Sequence, residues 1–240
     1  MKRFPHTSLT VPLCAAAAVL LVGANVAAFT LDLAAVSTQD TGLLRLHGST
    51  GDGAFGVPVA GGVDFDGDGH ADVAMASMLA SPNGVNRAGT VYLLFGTGTI
   101  AGTFDTATSA ANVLRLHGTV EKETAGSEIW SDDVDGDGLG DLLIARQNFG
   151  PSLARTGAGA LSIVFGSAAL RAHAAALTAI DLDAPPTDVT VLTIVGAQAL
   201  GRFGIWMRTG DVDGDGTADI VVGADQEDYD AAQHAGAVYV

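Results

Sequence analysis

With 240 residues, 48% of them hydrophobic, the chain has ample material for a buried core. Only 16% are charged, and 27 Asp and Glu stand against 11 Lys and Arg, for a net charge of −16. That balance excludes nucleic acid as a partner, because phosphate recognition needs clustered Lys and Arg, and it suits cation binding instead.

The first element in chain order reads as a secretory leader. Lys2 and Arg3 precede an apolar run from Val11 to Val22, and Val26-Ala27-Ala28 places small residues at −3 and −1. Cleavage is expected before Phe29, making 1–28 a signal peptide. Cys14 is the single cysteine and departs with the leader, so the mature chain is expected to hold no disulfide. The product is expected to be secreted or extracellular, or else periplasmic or on the cell surface, with no membrane span after cleavage.

Three copies of one unit follow. Each opens with an apolar strand ending in Gly: Leu43 to Gly48, Val113 to Gly118 and Val191 to Gly196. Seven residues beyond that Gly stand Phe55-Gly56, Ala125-Gly126 and Phe203-Gly204. A loop of pattern Asp-x-Asp-x-Asp-Gly-x-x-Asp begins at Asp64, Asp133 and Asp211, and a hydrophobic strand follows directly from Asp72, Asp141 and Asp219. A last strand starts at Ala88-Gly89, Ala158-Gly159 and Ala235-Gly236. Loop-to-loop steps of 69 and 78 residues are matched by the other markers, so the repeat is real. The longer step comes from the connector 167–190, where SAALRAHAAALTAI reads as a short helix. The 32 glycines fit a turn-rich β protein. Units of about 70 residues with three or four short strands have the size of propeller blades. The domain reading is therefore 29–96, 97–166 and 167–240, the last unit truncated.

The loops carry the chemistry. Thirteen of the 27 carboxylates fall in 64–72, 132–141 and 211–219, a density that self-repulsion opposes unless a cation holds it. Calcium takes six to eight hard oxygens. Positions 1, 3 and 5 (Asp64, Asp66, Asp68; Asp133, Asp135, Asp137; Asp211, Asp213, Asp215) supply carboxylates, and Gly at position 6 permits the bend. Position 7 (His70, Leu139, Thr217) supplies a backbone carbonyl, which leaves its side chain free to vary. Position 9 (Asp72, Asp141, Asp219) closes the site. About three calcium sites are expected. A helix-loop-helix calcium hand is excluded, because position 12 is Met75, Ile144 and Val222 rather than Glu. Zinc is disfavoured by the lack of cysteine.

The remaining candidates read as structural. Arg45 with His47, and Arg115 with His117, recur and are expected on a solvated strand edge. Trp130 and Trp206 are expected to pack in the core or between blades. No nucleophile elbow, zinc-protease motif or phosphate loop occurs, so no enzyme is expected.

The motif order resembles the FG-GAP repeat of the integrin α-subunit β-propeller and of many secreted bacterial proteins. Phe55-Gly56 and Phe203-Gly204 match the first element, all three loops match the second, and Gly89-Thr-Val-Tyr-Leu-Leu-Phe95 matches the last. Ala125-Gly126 departs from the pattern, and the family's Gly-Ala-Pro is replaced by Ala76-Ser77-Met78, Ala145-Arg146-Gln147 and Gly223-Ala224-Asp225. The resemblance implies an all-β fold of FG-GAP blades with structural calcium. Seven blades are implied, so a chain with three repeats, stopping at Val240 inside a strand, is expected to be part of a larger propeller. The function implied is a cell-adhesion or protein-interaction module. An alternative is a carbohydrate-binding accessory, or a non-catalytic part of a secreted hydrolase or phospholipase.

Overall fold

The computed structural model describes residues 44–49, 53–98 and 102–240. The leader 1–28 and the pattern at Phe29–Leu33 lie outside the described residues. The described chain is almost entirely β. Its strands are β1 (Leu44–His47), β2 (Val59–Gly61), β3 (Val73–Ser77), β4 (Thr90–Leu94), β5 (Gly102–Asp105), β6 (Val113–His117) and β7 (Ala125–Asp132). They continue with β8 (Asp141–Arg146), β9 (Ala160–Val164), β10 (Ala179–Asp181), β11 (Val191–Val195), β12 (Met207–Gly210), β13 (Asp219–Ala224) and β14 (Ala237–Tyr239). The connector helix is α1 (Ala168–Ala175). No described helix is long and apolar enough to cross a membrane.

The sheets are propeller blades. The first runs β2-β3-β4-β6, antiparallel throughout, and the second runs β7-β8-β9-β11. The third contains β12-β13-β14. Blade and sequence unit are offset by one strand. β6 opens the second sequence unit yet pairs with β4 of the first blade, Val91 opposite Leu116. β11 opens the third unit and pairs with β9 of the second blade, Leu192 opposite Ile163. The connectors add a feature that the repeat pattern did not reveal. β10, from the longer connector, lies parallel to β6 and so adds a strand to the outer edge of the first blade, while β5 lies parallel to β1 in a separate two-stranded sheet.

The cores lie between blades. Leu93, Leu114 and Leu116 of the first blade meet Ile129, Leu142 and Ile144 of the second, with Leu170, Ala174 and Ile180 from the connector closing the cluster. Leu143, Ala145, Leu161 and Ile163 point the other way and meet Phe203, Met207 and Val222 of the third blade. β8 is consequently buried along its whole length, on both faces, which is why it reads as an unbroken apolar run rather than an alternation. Each fully buried Leu or Ile in these clusters contributes about 1.5–3 kcal/mol.

Trp130 behaves as expected. Its indole N–H donates to Thr209 Oγ1 at 2.8 Å, and the Arg208 guanidinium sits 4.4 Å from the ring centre, across the junction of the second and third blades. Trp206 does not: it is 64% exposed. The adjacent Met207 takes the inter-blade position, and strand alternation turns Trp206 away from it. The solvated-edge reading also fails for Arg115 and His117. His117 is buried with Nδ1 3.1 Å from Thr90 Oγ1, and Arg115 donates to the carbonyls of Thr106 and Thr108.

Candidate metal centre

Each Asp loop is a folded turn with the same internal bonds. Asp64 Oδ1 accepts the N–H of Gly67 at 2.7 Å and Oδ2 accepts that of Gly69 at 2.7 Å. Asp133 takes the N–H groups of Gly136 and Gly138 at 2.8 and 2.9 Å, and Asp211 those of Gly214 and Gly216 at 2.6 and 3.0 Å. Both glycines of each loop have positive φ, from 77° to 95°. Position 4 therefore needs Gly as much as position 6 does. That glycine stands in all three copies of the sequence, although the pattern Asp-x-Asp-x-Asp-Gly leaves it unmarked.

The chain brings positions 1, 3 and 9 together. Asp64, Asp66 and Asp72 each offer a carboxylate oxygen within 4.8 Å of the others, as do Asp133, Asp135 and Asp141, and Asp211, Asp213 and Asp219. Position 5 stands apart from these groups. Asp137 Oδ1 accepts the N–H of Leu139 at 2.8 Å, Asp215 Oδ1 that of Thr217 at 2.8 Å, and Asp68 Oδ1 that of His70 at 2.9 Å. The position-7 side chains pack rather than point at the carboxylates in two cases. Leu139 lies against the preceding loop's glycine, 3.2 Å from where a Cβ on Gly67 would stand, and Thr217 lies 4.0 Å from the same point on Gly136. The loops of neighbouring blades thus touch in a row. His70 instead sets Nδ1 3.1 Å from Asp68 Oδ1.

The position-9 aspartates do more than close a cage. Asp72 Oδ2 accepts the N–H of Phe65 at 2.9 Å, while Oδ1 accepts the N–H of Gly96 at 2.7 Å. Asp141 repeats this with Val134 and Gly166, both at 2.9 Å, and Asp219 accepts from Val212 at 2.8 Å. One carboxylate therefore joins the loop's start to the Phe-Gly that ends the unit. Burial is the main reason that the Asp72 and Asp141 carboxyls lie above their ordinary pKa; neighbouring loop aspartates push the same way, against the pull of the backbone donors. On Asp64, desolvation is the largest single influence and pushes upward, but the N–H groups of Gly69, Gly67 and Asp66 together outweigh it, and the pKa is lowered.

In the first two loops, position 2 links the loop to the core. Phe65 is fully buried in the cluster between the first and second blades, and Val134 packs on the cluster between the second and third. Loop geometry and blade packing are thus one structure.

Arg171 and Arg146 were not found by sequence reasoning. Arg171, on α1, pairs through Nε with Asp66 and through Nη2 with Asp68, and donates to the Gly96 carbonyl at 3.0 Å. Arg146 replaces the Gly-Ala-Pro residue and is fully buried. It meets Glu123 Oε2 at 2.5–2.6 Å and Asp183 at 2.6 and 2.7 Å. Glu123 in turn accepts the N–H groups of Thr119 and Val120 at 2.5 and 2.9 Å. An Arg in a strand next to a loop carries no pattern that names its partners.

An all-oxygen donor set of converging carboxylates, without sulfur or imidazole, fits a hard divalent cation and suits calcium's tolerant geometry. Nothing in these loops pairs a nucleophile with a base.

Comparison with known proteins agrees with this architecture. The FG-GAP repeat model matches residues 55–94 and 203–240. The chain is 31% identical over 182 residues to integrin alpha-PS2 of Drosophila melanogaster, an alignment spanning 74% of this chain and 11% of that relative.

Proposed function

The chain belongs to the FG-GAP repeat family of integrin α-like β-propellers, and we propose that it is an extracellular, calcium-braced module for binding another protein, not an enzyme. The observation that carries the calcium reading is the convergence of positions 1, 3 and 9 in all three loops, with the same supporting bonds each time. Asp64, Asp66 and Asp72 would hold the ion in the first loop, with Asp68 and the His70 carbonyl completing it. Asp133, Asp135 and Asp141, and Asp211, Asp213 and Asp219, would do so in the others, joined by Asp137 with Leu139 and Asp215 with Thr217. The ion supplies charge neutralisation at the loops, two of which set their position-2 residues, Phe65 and Val134, on the inter-blade cores, so its role is to stiffen the blades.

Partner binding falls to the opposite end of the blades, where β3, β8 and β13 run out into their loops. Fully exposed Leu153, with Leu200 and Tyr229 at 62% and 72% exposure, presents apolar side chains there. Extracellular placement is supported by the reading of 1–28 as a leader and by the similarity to an integrin α chain.

Thermal unfolding with calcium and with excess chelator tests the metal reading. Calcium should raise the melting temperature, because an ion that binds only the folded state stabilises it by mass action. Equal melting temperatures would overturn the reading. A glycan array should show no bound sugar; a reproducible glycan hit would replace the protein partner with a carbohydrate.

A further inference from the structure

The three loops are not equivalent, and the difference is a built-in cation. We propose that Arg171 is an intramolecular competitor at the first loop, so that this loop takes up calcium last and does so by displacing the guanidinium. The inference rests on the calcium reading above.

Three observations converge on it. First, Arg171 engages two of the first loop's own acids, Asp66 through Nε and Asp68 through Nη2, and Asp66 is one of the three carboxylates that come together with Asp64 and Asp72. Among the described residues, no Lys or Arg lies within ion-pair distance of an acid of the second or third loop. Second, the arginine is delivered by a dedicated element. α1 sits in the longer connector, anchored by buried Leu170 and Ala174, and the Ser167 N–H donates to the Phe65 carbonyl at 2.8 Å. Leu170 fixes the helix on the core and so places its neighbour over the loop. Third, the guanidinium has a resting place of its own. It lies 5.2 Å from the Phe95 ring centre, donates to the Gly96 carbonyl, and the side chain is about one-third exposed, so it can leave the acids without being stranded in an apolar core.

Electrostatics sets the direction. A fixed positive charge on Asp66 and Asp68 removes part of the negative field that draws a divalent ion, and it occupies lone pairs that the ion needs. Filling the loop requires Arg171 to give up these pairs, so uptake at the first loop and the hold of α1 on the first blade oppose each other. Among the described residues, the other two loops have no such competitor.

Calcium titration of the full chain by calorimetry, beside Arg171→Gln, decides the matter. In the unmodified protein, two sites should fill together and a third should be at least about tenfold weaker, the size expected for one nearby unit charge. Asp64→Asn should abolish only the weak site, assigning it to the first loop. Arg171→Gln should strengthen that site by about the same factor and leave the other two unmoved. It should also lower the melting temperature in chelator while enlarging the calcium-induced rise, a pair of opposite signs that a merely structural arginine would not give. Should that variant fail to fold, Arg171→Lys keeps the charge but loses the fork, and the weak site should tighten several-fold. Three equal sites in the unmodified protein, or a weak site that neither variant moves, would overturn the inference and leave the calcium reading standing. No calcium uptake by any of these proteins would overturn both.

Discussion

Gly166 donates its backbone N–H to Asp141 at 2.9 Å, tying the end of the second unit's last strand to the loop that starts 33 residues earlier at Asp133. The same carboxylate holds Val134 at 2.9 Å. Position 9 is thus a structural hub as well as a candidate ligand. Asp141→Asn keeps the shape but turns an amide NH2, itself a donor, toward one of the two backbone donors. It should cost about 1–3 kcal/mol even in chelator, as expected for a buried group left unsatisfied. Asp135→Asn, at an exposed position where Oδ1 accepts only the N–H of Asp137 at 3.2 Å, should change stability in chelator by less than about 0.5 kcal/mol while weakening calcium uptake. Urea denaturation with and without chelator separates the two effects.

Phe65 sits in the metal loop by sequence and in the inter-blade core by packing. Phe65→Ala should destabilise the protein by about 3–5 kcal/mol, the usual range for a buried Phe truncation. Val212, at the same loop position in the third blade, is 62% exposed. Val212→Ala should therefore be close to silent in the same denaturation experiment.

Buried Arg146 and Glu123, with Asp183 at the solvent-facing rim, form an ionic cluster joining the first-to-second blade turn, β8 and the connector. Glu123→Gln leaves Arg146 undercompensated in an interior site and should cost about 3–5 kcal/mol. Replacing both partners, as Glu123→Leu with Arg146→Met, should recover most of that loss, since a desolvated pair contributes little over packed apolar groups. Thermal melts of the single and double variants read this directly.

Asp183 supplies a pH dependence. Burial works to raise its pKa, but hydrogen bonds from Arg146 and Thr119 outweigh it, and the carboxyl lies below its ordinary value. A folded-state pKa below the unfolded one means a contribution to stability that is complete above the ordinary carboxyl range. That contribution is lost as pH falls through the folded value. Protection of the 181–190 amides, measured against their intrinsic exchange rates at each pH, should fall in acid, and Asp183→Asn should lower it already at neutral pH. Slow exchange persisting in the variant would refute the anchor.

Much of this architecture is legible in the sequence, because repetition turns weak signals into strong ones. The Asp loops, their flanking strands and the helix in the longer connector follow from spacing and periodicity alone. Strand ownership does not. β6 and β11 each stand at the head of a sequence unit, and nothing local says that they hydrogen-bond backwards to β4 and β9. Long-range ion pairs are hidden for the same reason: Arg171 and Asp66 are 105 residues apart, and each looks like an ordinary solvated charge. Trp206 is misplaced when residue type alone is read, because its neighbour Met207 takes the buried face.

The offset between unit and blade bears on how the chain comes apart. A nick near Pro185-Pro186 would not release a pair of finished modules. It would leave one piece with a second blade lacking its outer strand and the other with that strand, β11, unsatisfied at its head. The resulting fragments carry complementary halves of one sheet, so they should find each other again in solution. The seam between repeats is a natural place to split this protein into a reassembling pair.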